Sequence, residues 1–283
     1  MIVIKIAESA GFCFGVERAV DLAYKREGQR NTYTLGPIIH NEIVINDLAS
    51  KGISPIETIS DDIEHLIIRS HGVTPTIYKQ AQDNNINIID ATCPYVKKIH
   101  RLVAKHYSEG DSIIIIGDEK HPEIIGINGW GNNECIIVQD VNDAKLLTMD
   151  LNKSYFIVAQ TTYKQEVVDK ILDVLRKNLY KFKYVSTICD ATSKRQQEAR
   201  EIASQVDLMI VIGSNLSSNT QKLYEVCKQV CDNAFCIQNV NELDNIQITN
   251  KQKIGVTAGA STPASIIKEI VEKIESSLIE KVV

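Results

Sequence analysis

Three cysteines in this chain stand where chemistry is possible. Cys13 lies in Ala10-Gly11-Phe12-Cys13-Phe14-Gly15, Cys93 in Asp90-Ala91-Thr92-Cys93-Pro94 and Cys189 in Cys189-Asp190-Ala191-Thr192. Each follows an apolar, strand-like run and opens a helical pattern, where unpaired backbone N–H groups favour the thiolate. Gly11 and Gly15 bracket Cys13, so the chain there can turn tightly and approach a bulky group. A thiolate serves as a nucleophile or a metal ligand, and a nucleophile needs only one. Three from distant parts of a chain suit a metal centre better. Zinc held by three cysteines would want a fourth ligand such as His121. An iron–sulfur cubane held by three would leave one iron open for substrate. No compact Cys-x-x-Cys pair is present, so spacing alone leaves both open.

The other cysteines read as packing. Cys227, Cys231 and Cys236 form a rival set with local spacing, but Leu223, Val226 and Val230 surround it, which favours core. Cys135, in Cys135-Ile136-Ile137-Val138, reads as a core strand residue.

A second group of residues gathers where strands are expected to end. It comprises His40, His71, His121 with Glu123, Gln160-Thr161-Thr162, Ser217-Ser218-Asn219 and Thr257 to Ser261. Three of the six histidines occupy equivalent loops. Hydroxyls, amides and imidazoles at helix starts make a cradle for a phosphate or diphosphate. Each group also has a plain reading, Ser217-Ser218-Asn219 as a helix cap and Thr161-Thr162 as a capping pair. Their common location with the three cysteines weighs against that reading for the set as a whole. Neither a Walker lysine motif nor a GxGxxG turn occurs, so the usual nucleotide sites are not indicated.

The elements that must position these residues alternate. Strands are expected at Ile2–Ile6, Asn31–Leu35 and Glu64–Arg69, then one that delivers Cys93, then at Ser112–Ile116 and Ser154–Ala159, then one at Cys189, and at Leu208–Ile212, Ala234–Ile237 and Lys253–Val256. Helices are expected after Cys13 and Cys189, at Glu42–Lys51, Pro75–Asn84, Tyr95–Ser108, Lys164–Leu179 and Gln221–Val230, and at the C-terminal end. The run Ser112–Ile116 is apolar on both faces, as in a central parallel strand. The fold class is therefore α/β: three pseudo-equivalent lobes, each a small, mainly parallel sheet with flanking helices. Their ranges are 14–93, 94–188, and 1–13 joined with 189–283.

Composition narrows the setting. The chain has 283 residues, 44% of them apolar, and a net charge of −5, so no basic field advertises nucleic acid. No apolar run approaches a membrane span, and the first residues read as a strand rather than a leader. Seven cysteines, an odd number, fit a reducing cytoplasm better than a disulfide framework.

Taken together and in order, AGFCFGVERAV, GPIIHN, SHGV, DATCP, GDEKHPE, QTT, CDAT with KRQ, GSNLSSN and TAGAST resemble the LytB-type reductases over essentially the whole chain. The resemblance implies three lobes around a central [4Fe–4S] cluster, one per chain, with Cys13, Cys93 and Cys189 on three irons. The fourth iron would be open to the substrate hydroxyl. It implies a two-electron, two-proton reductive dehydroxylation of (E)-4-hydroxy-3-methylbut-2-enyl diphosphate to isopentenyl and dimethylallyl diphosphates, the last step of the non-mevalonate (MEP/DOXP) isoprenoid route. By the same resemblance His40, His71, His121, Ser217, Ser218, Asn219 and Ser261 would hold the diphosphate, with Gln160 and Thr162 nearby. Glu123, helped by Thr161 and the diphosphate itself, would deliver the proton to the departing hydroxyl, with His121 also catalytic and Thr161 also substrate-binding. Electrons would come from reduced flavodoxin or ferredoxin, since nothing in the sequence binds flavin or nicotinamide. Neither a nucleic acid nor a membrane partner is expected.

Overall fold

The computed structural model describes residues 3–60, 62–178, 180–249 and 253–280. Met1, Ile2 and residues 281–283 of the expected third lobe, and Leu179 at the expected helix end, lie outside the described residues. Strand β1 (Val3–Ile6) runs through the Cys13 loop into helix α1 (Phe14–Tyr24).

A first sheet follows, built from β2 (Thr32–Leu35), β3 (Ser54–Ile56), β4 (His65–Ile68) and β5 (Asn87–Asp90), with α2 (Glu42–Ser50) and α3 (Pro75–Asp83) between its strands. The second begins after α4 (Pro94–Ser108). Its strands are β6 (Ser112–Ile116), β7 (Ile136–Val138), β8 (Tyr155–Ala159) and β9 (Phe182–Tyr184), with α5 (Pro122–Trp130), α6 (Val141–Leu146) and α7 (Gln165–Lys177). The third follows α8 (Asp190–Ala203). It has β10 (Leu208–Ile212), β11 (Ala234–Ile237) and β12 (Lys253–Ala258), with α9 (Ser218–Lys228) and α10 (Ala264–Glu280).

All three sheets are four-stranded and parallel, in the orders β3-β2-β4-β5, β7-β6-β8-β9 and β11-β10-β12-β1. Counted from each sheet's first strand, the order is the same each time: second, first, third, fourth. In the third sheet the fourth place is taken by β1, which lies against β12 with Ile4 opposite Ile254. Each fourth strand therefore leads toward one of the three cysteines, and each cysteine opens a helix.

The second sheet shows how the pattern folds. Ile114 and Ile116 face one side, where they meet Val168, Ile171, Leu172 and Leu175 of α7. Ile113 and Ile115 face the other, against Ile99, Val103, Ile124 and Ile127 of α4 and α5. Two-residue alternation places successive isoleucines on opposite faces, and a helix covers each, so the strand is apolar throughout. Residues 168, 171, 172 and 175 fall on one stripe of a helix, which is why α7 packs on that face alone. Truncating Ile114 to alanine would cost about 2–5 kcal/mol.

Some boundaries move for local reasons. Helix α9 starts at Ser218 rather than Gln221, because the Ser217 hydroxyl caps it, accepting from the Thr220 N–H at 3.3 Å. The strand expected at Cys189 ends earlier, with β9 at Tyr184. There the Thr187 hydroxyl accepts from Ala159 N–H (2.8 Å) and donates to the Ala159 carbonyl (2.6 Å), replacing the backbone ladder.

The chain forms two compact units. One comprises Met1–Glu17, His40–Ile43 and Asp190–Val283 and holds the third sheet. The other comprises Arg18–Ile39 and Val44–Cys189 and holds the first two. Among the described residues no helix is long and apolar enough to cross a membrane.

Candidate active site

The shared strand order places a switch point in every sheet, between its first and third strands, where the chain leaves in opposite directions. Ligands bind beyond the carboxyl ends of parallel strands at such points. The loops there are His40 and His71 after β2 and β4, His121-Pro122-Glu123 and Gln160-Thr161 after β6 and β8, and Ser217-Ser218-Asn219 and Ser261 after β10 and β12.

In the unit with two sheets, His121 is the N-cap of α5. Its Nδ1 accepts the Glu123 N–H at 3.1 Å, so the neutral ring carries its proton on Nε2. Pro122 occupies the first helical position, where its missing N–H costs nothing. Glu123 is 2% exposed. Its Oε1 accepts the Thr161 N–H and its Oε2 meets the Thr161 hydroxyl, each at 2.7 Å. Burial raises this carboxyl to about 7, against the pull of the two Thr161 hydrogen bonds toward ionisation. Near neutral pH Glu123 therefore holds a proton for much of the time.

Thr161 also accepts the Cys189 N–H at its carbonyl, 3.0 Å, which ties the cysteine turn to the same residue. Gln160 is fully buried and joins the two loops of the switch point. Its Oε1 accepts from Asp118 N–H (3.0 Å) and its Nε2 donates to the Thr162 hydroxyl (3.2 Å). His71 stands edge-on to His121, with ring centroids 5.3 Å apart. Cys93 donates its N–H to the Ser70 carbonyl (2.9 Å), beside His71, and caps α4.

Two groups that sequence reading passed over shape the Cys93 turn. Arg18 donates to the Thr92 and Asp90 carbonyls at 3.3 and 3.2 Å. Asp90 accepts from Thr92 N–H (2.9 Å), Tyr78 OH (3.1 Å) and Lys97 (2.7 Å). Burial works to raise the Asp90 carboxyl, but Lys97 and Thr92 outweigh it and hold it below its ordinary value.

The other unit has its own cluster. Asn219 Oδ1 accepts from Ala260 N–H (2.9 Å), and Asn41 Nδ2 donates to the Ser261 carbonyl (2.9 Å). Asn219 Nδ2, Ser261 Oγ, Thr220 Oγ1 and Thr257 Oγ1 are buried with no partner among the described residues. Of these, Asn219 Nδ2 and Ser261 Oγ belong to the loops at the switch point, and a buried donor without a described partner is one that an oxygen-rich anion can satisfy. The Cys13 loop lies against the same turn: a Cβ on Gly11 (φ +97°) would stand 3.3 Å from the Thr262 carbonyl. Arg195, 3% exposed, holds that loop by donating to the Ser9 carbonyl (2.9 and 2.6 Å) and the Gly11 carbonyl (2.7 Å). Glu198, one turn on, accepts from Glu8 N–H, Ser9 N–H and the Ser9 hydroxyl. The only sequence signal for either arginine was its place inside a motif.

The family model described as LytB protein matches residues 4–275. The chain belongs to the LytB family. It is 45% identical over 278 residues to the 4-hydroxy-3-methylbut-2-enyl diphosphate reductase of Clostridioides difficile (strain 630), covering 96% of this chain and 99% of that one. It is 43% identical to the protein of the same name from Caldanaerobacter subterraneus subsp. tengcongensis, covering 96% of each. Among solved structures, the E-1-hydroxy-2-methyl-but-2-enyl-4-diphosphate reductase of Plasmodium falciparum superposes with a TM-score of 0.87 at 32% identity, over 96% of this chain and 87% of that one. A second, described as the terminal enzyme of the non-mevalonate pathway, gives 0.70 at 37% identity, over 98% and 100%.

The donor chemistry separates two kinds of cysteine in this LytB chain. Cys13, Cys93 and Cys189 are half-buried thiols at the starts of α1, α4 and α8, and thiolates are the ligands an iron–sulfur group takes. Burial pushes the Cys135 and Cys227 thiols up to about 12 and Cys236 to about 11, which keeps them protonated and poor as ligands. Cys227 and Cys231 pack with Ala199, Ile202, Met209 and Leu223 in a core cluster.

Proposed function

We propose that this chain reductively dehydroxylates (E)-4-hydroxy-3-methylbut-2-enyl diphosphate to isopentenyl and dimethylallyl diphosphates, the last step of the non-mevalonate isoprenoid route. The substrate takes up two electrons and two protons, its allylic C–O bond breaks, and water leaves. The observation that carries this reading is the buried Glu123–Thr161 pair, a proton source held beside the Cys189 turn.

Because Glu123 Oε1 is engaged by a backbone N–H, the carboxyl proton belongs on Oε2, facing the Thr161 hydroxyl. That hydroxyl accepts the proton and donates its own onward, so a group inside the protein reaches the leaving oxygen through one intermediary. His121, with its proton on Nε2, donates to the substrate, and its cap on α5 keeps the ring and Glu123 in fixed relation. Asn219 Nδ2 and Ser261 Oγ supply the diphosphate with donors that have no partner among the described residues, and His40, His71, Ser217, Ser218, Gln160 and Thr162 complete the substrate set.

Cys13, Cys93 and Cys189 would hold one [4Fe–4S] cluster, which supplies electrons and Lewis acidity when bound. A reduced flavodoxin or ferredoxin in the cytoplasm is the electron source in this reading. By the lobe ranges 14–93, 94–188, and 1–13 with 189–283, the first contributes Cys93 and the third Cys13 and Cys189, and each of the three contributes one switch point.

The test is anaerobic oxidation of reduced methyl viologen by iron-loaded protein, with and without the hydroxymethylbutenyl diphosphate. Substrate-dependent oxidation supports the reductase. Absence of oxidation with iron and sulfide bound would overturn it in favour of a non-catalytic iron–sulfur sensor. Zinc without acid-labile sulfide would point to a hydrolase instead.

A further inference from the structure

Helix α5 carries His121 and Glu123 at its start, and its far end grips the loop that carries His71. Gly126 and Gly129 admit that loop. A Cβ on Gly126 would stand 3.5 Å from the Gly72 and Val73 backbone, and one on Gly129 would collide with Thr74. Trp130 then donates its indole N–H to the Val73 carbonyl at 3.0 Å. From α4, His100 closes the other side: a Cβ on Gly72 would come 2.5 Å from His100 Cε1. The His100 and Trp130 rings stack, with centroids 5.3 Å apart and 20° between planes. His100 is 3% exposed, and its Nε2 is buried with no partner among the described residues.

We propose that the His100–Trp130 stack is a positioning pair for substrate binding, fixing the Gly72 turn so that His71 stays edge-on to His121. Gly72 has φ +75°, a conformation only glycine adopts readily, and its direction sets where the preceding imidazole points. Without the stack the turn is held by less on both flanks, and His71 must be ordered by the ligand at the expense of affinity. Burial pushes His100 down to about 4, Asp90 and Lys97 acting on it in opposite senses, so the stack is between neutral rings at working pH. The inference rests on the reading of His71 and His121 as diphosphate-binding residues.

Trp130 is the protein's single tryptophan and reports on the loop directly. Iron-loaded protein is titrated anaerobically with inorganic diphosphate while Trp130 emission is followed, and a saturable change is expected. Calorimetry with the same probe, and steady-state kinetics, then compare wild type, Trp130→Phe, His100→Ala, His71→Ala and the double variant of Trp130 and His71. The single variants of the pair should raise the diphosphate Kd and substrate KM about tenfold and leave kcat within about twofold, the signature of lost uniform binding. The double variant should lose no more than His71→Ala alone, because Trp130 acts through His71. Additive losses, or unchanged Kd and KM in both pair variants, would overturn the positioning role. If wild type fails to bind diphosphate and the anion fails to compete with substrate, the diphosphate reading of His71 falls instead.

Discussion

Thr161 closes on both carboxylate oxygens of Glu123, with its N–H on Oε1 and its hydroxyl on Oε2, each at 2.7 Å. A residue that binds a carboxyl twice in a buried site fixes the plane of that carboxyl and assigns the proton to one oxygen. Two consequences can be measured.

Glu123→Gln should retain iron, sulfide and substrate affinity while lowering kcat by about 10²–10⁴, the usual contribution of a positioned acid. In the wild type kcat should fall as pH rises through about 7, since the protonated form is the active one. The same residue affects stability. Its folded pKa is raised, so its contribution is fully present below the ordinary carboxylate range and is lost as pH climbs to about 7. Melting curves of wild type and Glu123→Gln should therefore diverge over that window, by about 3 kcal/mol at most. Parallel curves would remove the raised pKa from the account.

Thr161→Val keeps the backbone N–H and removes the hydroxyl. One of the two bonds that pull Glu123 toward ionisation is lost, so the alkaline limb of the kcat profile should move to higher pH even as kcat drops. A drop in kcat with an unmoved limb would mean that the hydroxyl serves substrate and not Glu123.

Cys13→Ser should lose or degrade the cluster, read as iron and sulfide per chain. Cys227→Ala should leave both unchanged and cost about 1–2 kcal/mol in denaturant unfolding, as a small buried side chain does. An intact four-iron centre in Cys13→Ser would refute the assignment of that ligand.

Arg195→Gln tests the brace on the Cys13 loop. It strands the Ser9 and Gly11 carbonyls, so the unfolding free energy should fall by about 2–4 kcal/mol and the protein should retain less iron on gel filtration. Full iron retention at normal stability would make the three hydrogen bonds incidental.

Asn219→Ala and Ser261→Ala each remove a buried donor, Nδ2 or Oγ, that has no partner among the described residues. Ser261→Ala should not destabilise the fold, whereas Asn219→Ala also strands the Ala260 N–H and should cost about 1–3 kcal/mol; each should raise the substrate KM about tenfold. Lower stability with unchanged KM would place these groups in the protein's own scaffold. Asn219→Asp, which keeps the Oδ1 acceptor for Ala260 and adds like charge, should weaken binding further.

Much of the architecture was legible in the chain. Ile113 to Ile116 announce a strand covered on both faces, and the stripe at 168, 171, 172 and 175 announces the helix that covers one of them. The motifs placed Glu123 and Thr161 at one sheet edge. They did not disclose that one residue holds the other by two bonds, or that Gln160 ties its own loops together. Arg18 and Arg195 had no signal beyond their motifs, because a guanidinium that binds backbone carbonyls leaves no mark on periodicity.

The sequence by itself determined the alternation of strands and helices, the helix starts at all three cysteines and the family. These follow from residue spacing and local backbone preference, which act over a few positions. Only the tertiary structure decided that β1, assigned by sequence to the last lobe, lies there against β12, that the Glu123 carboxyl is raised, and that His100 and Trp130 meet over Gly72. Those facts depend on pairing across long stretches of chain and on exclusion of water. Neither is a property of any short run of residues.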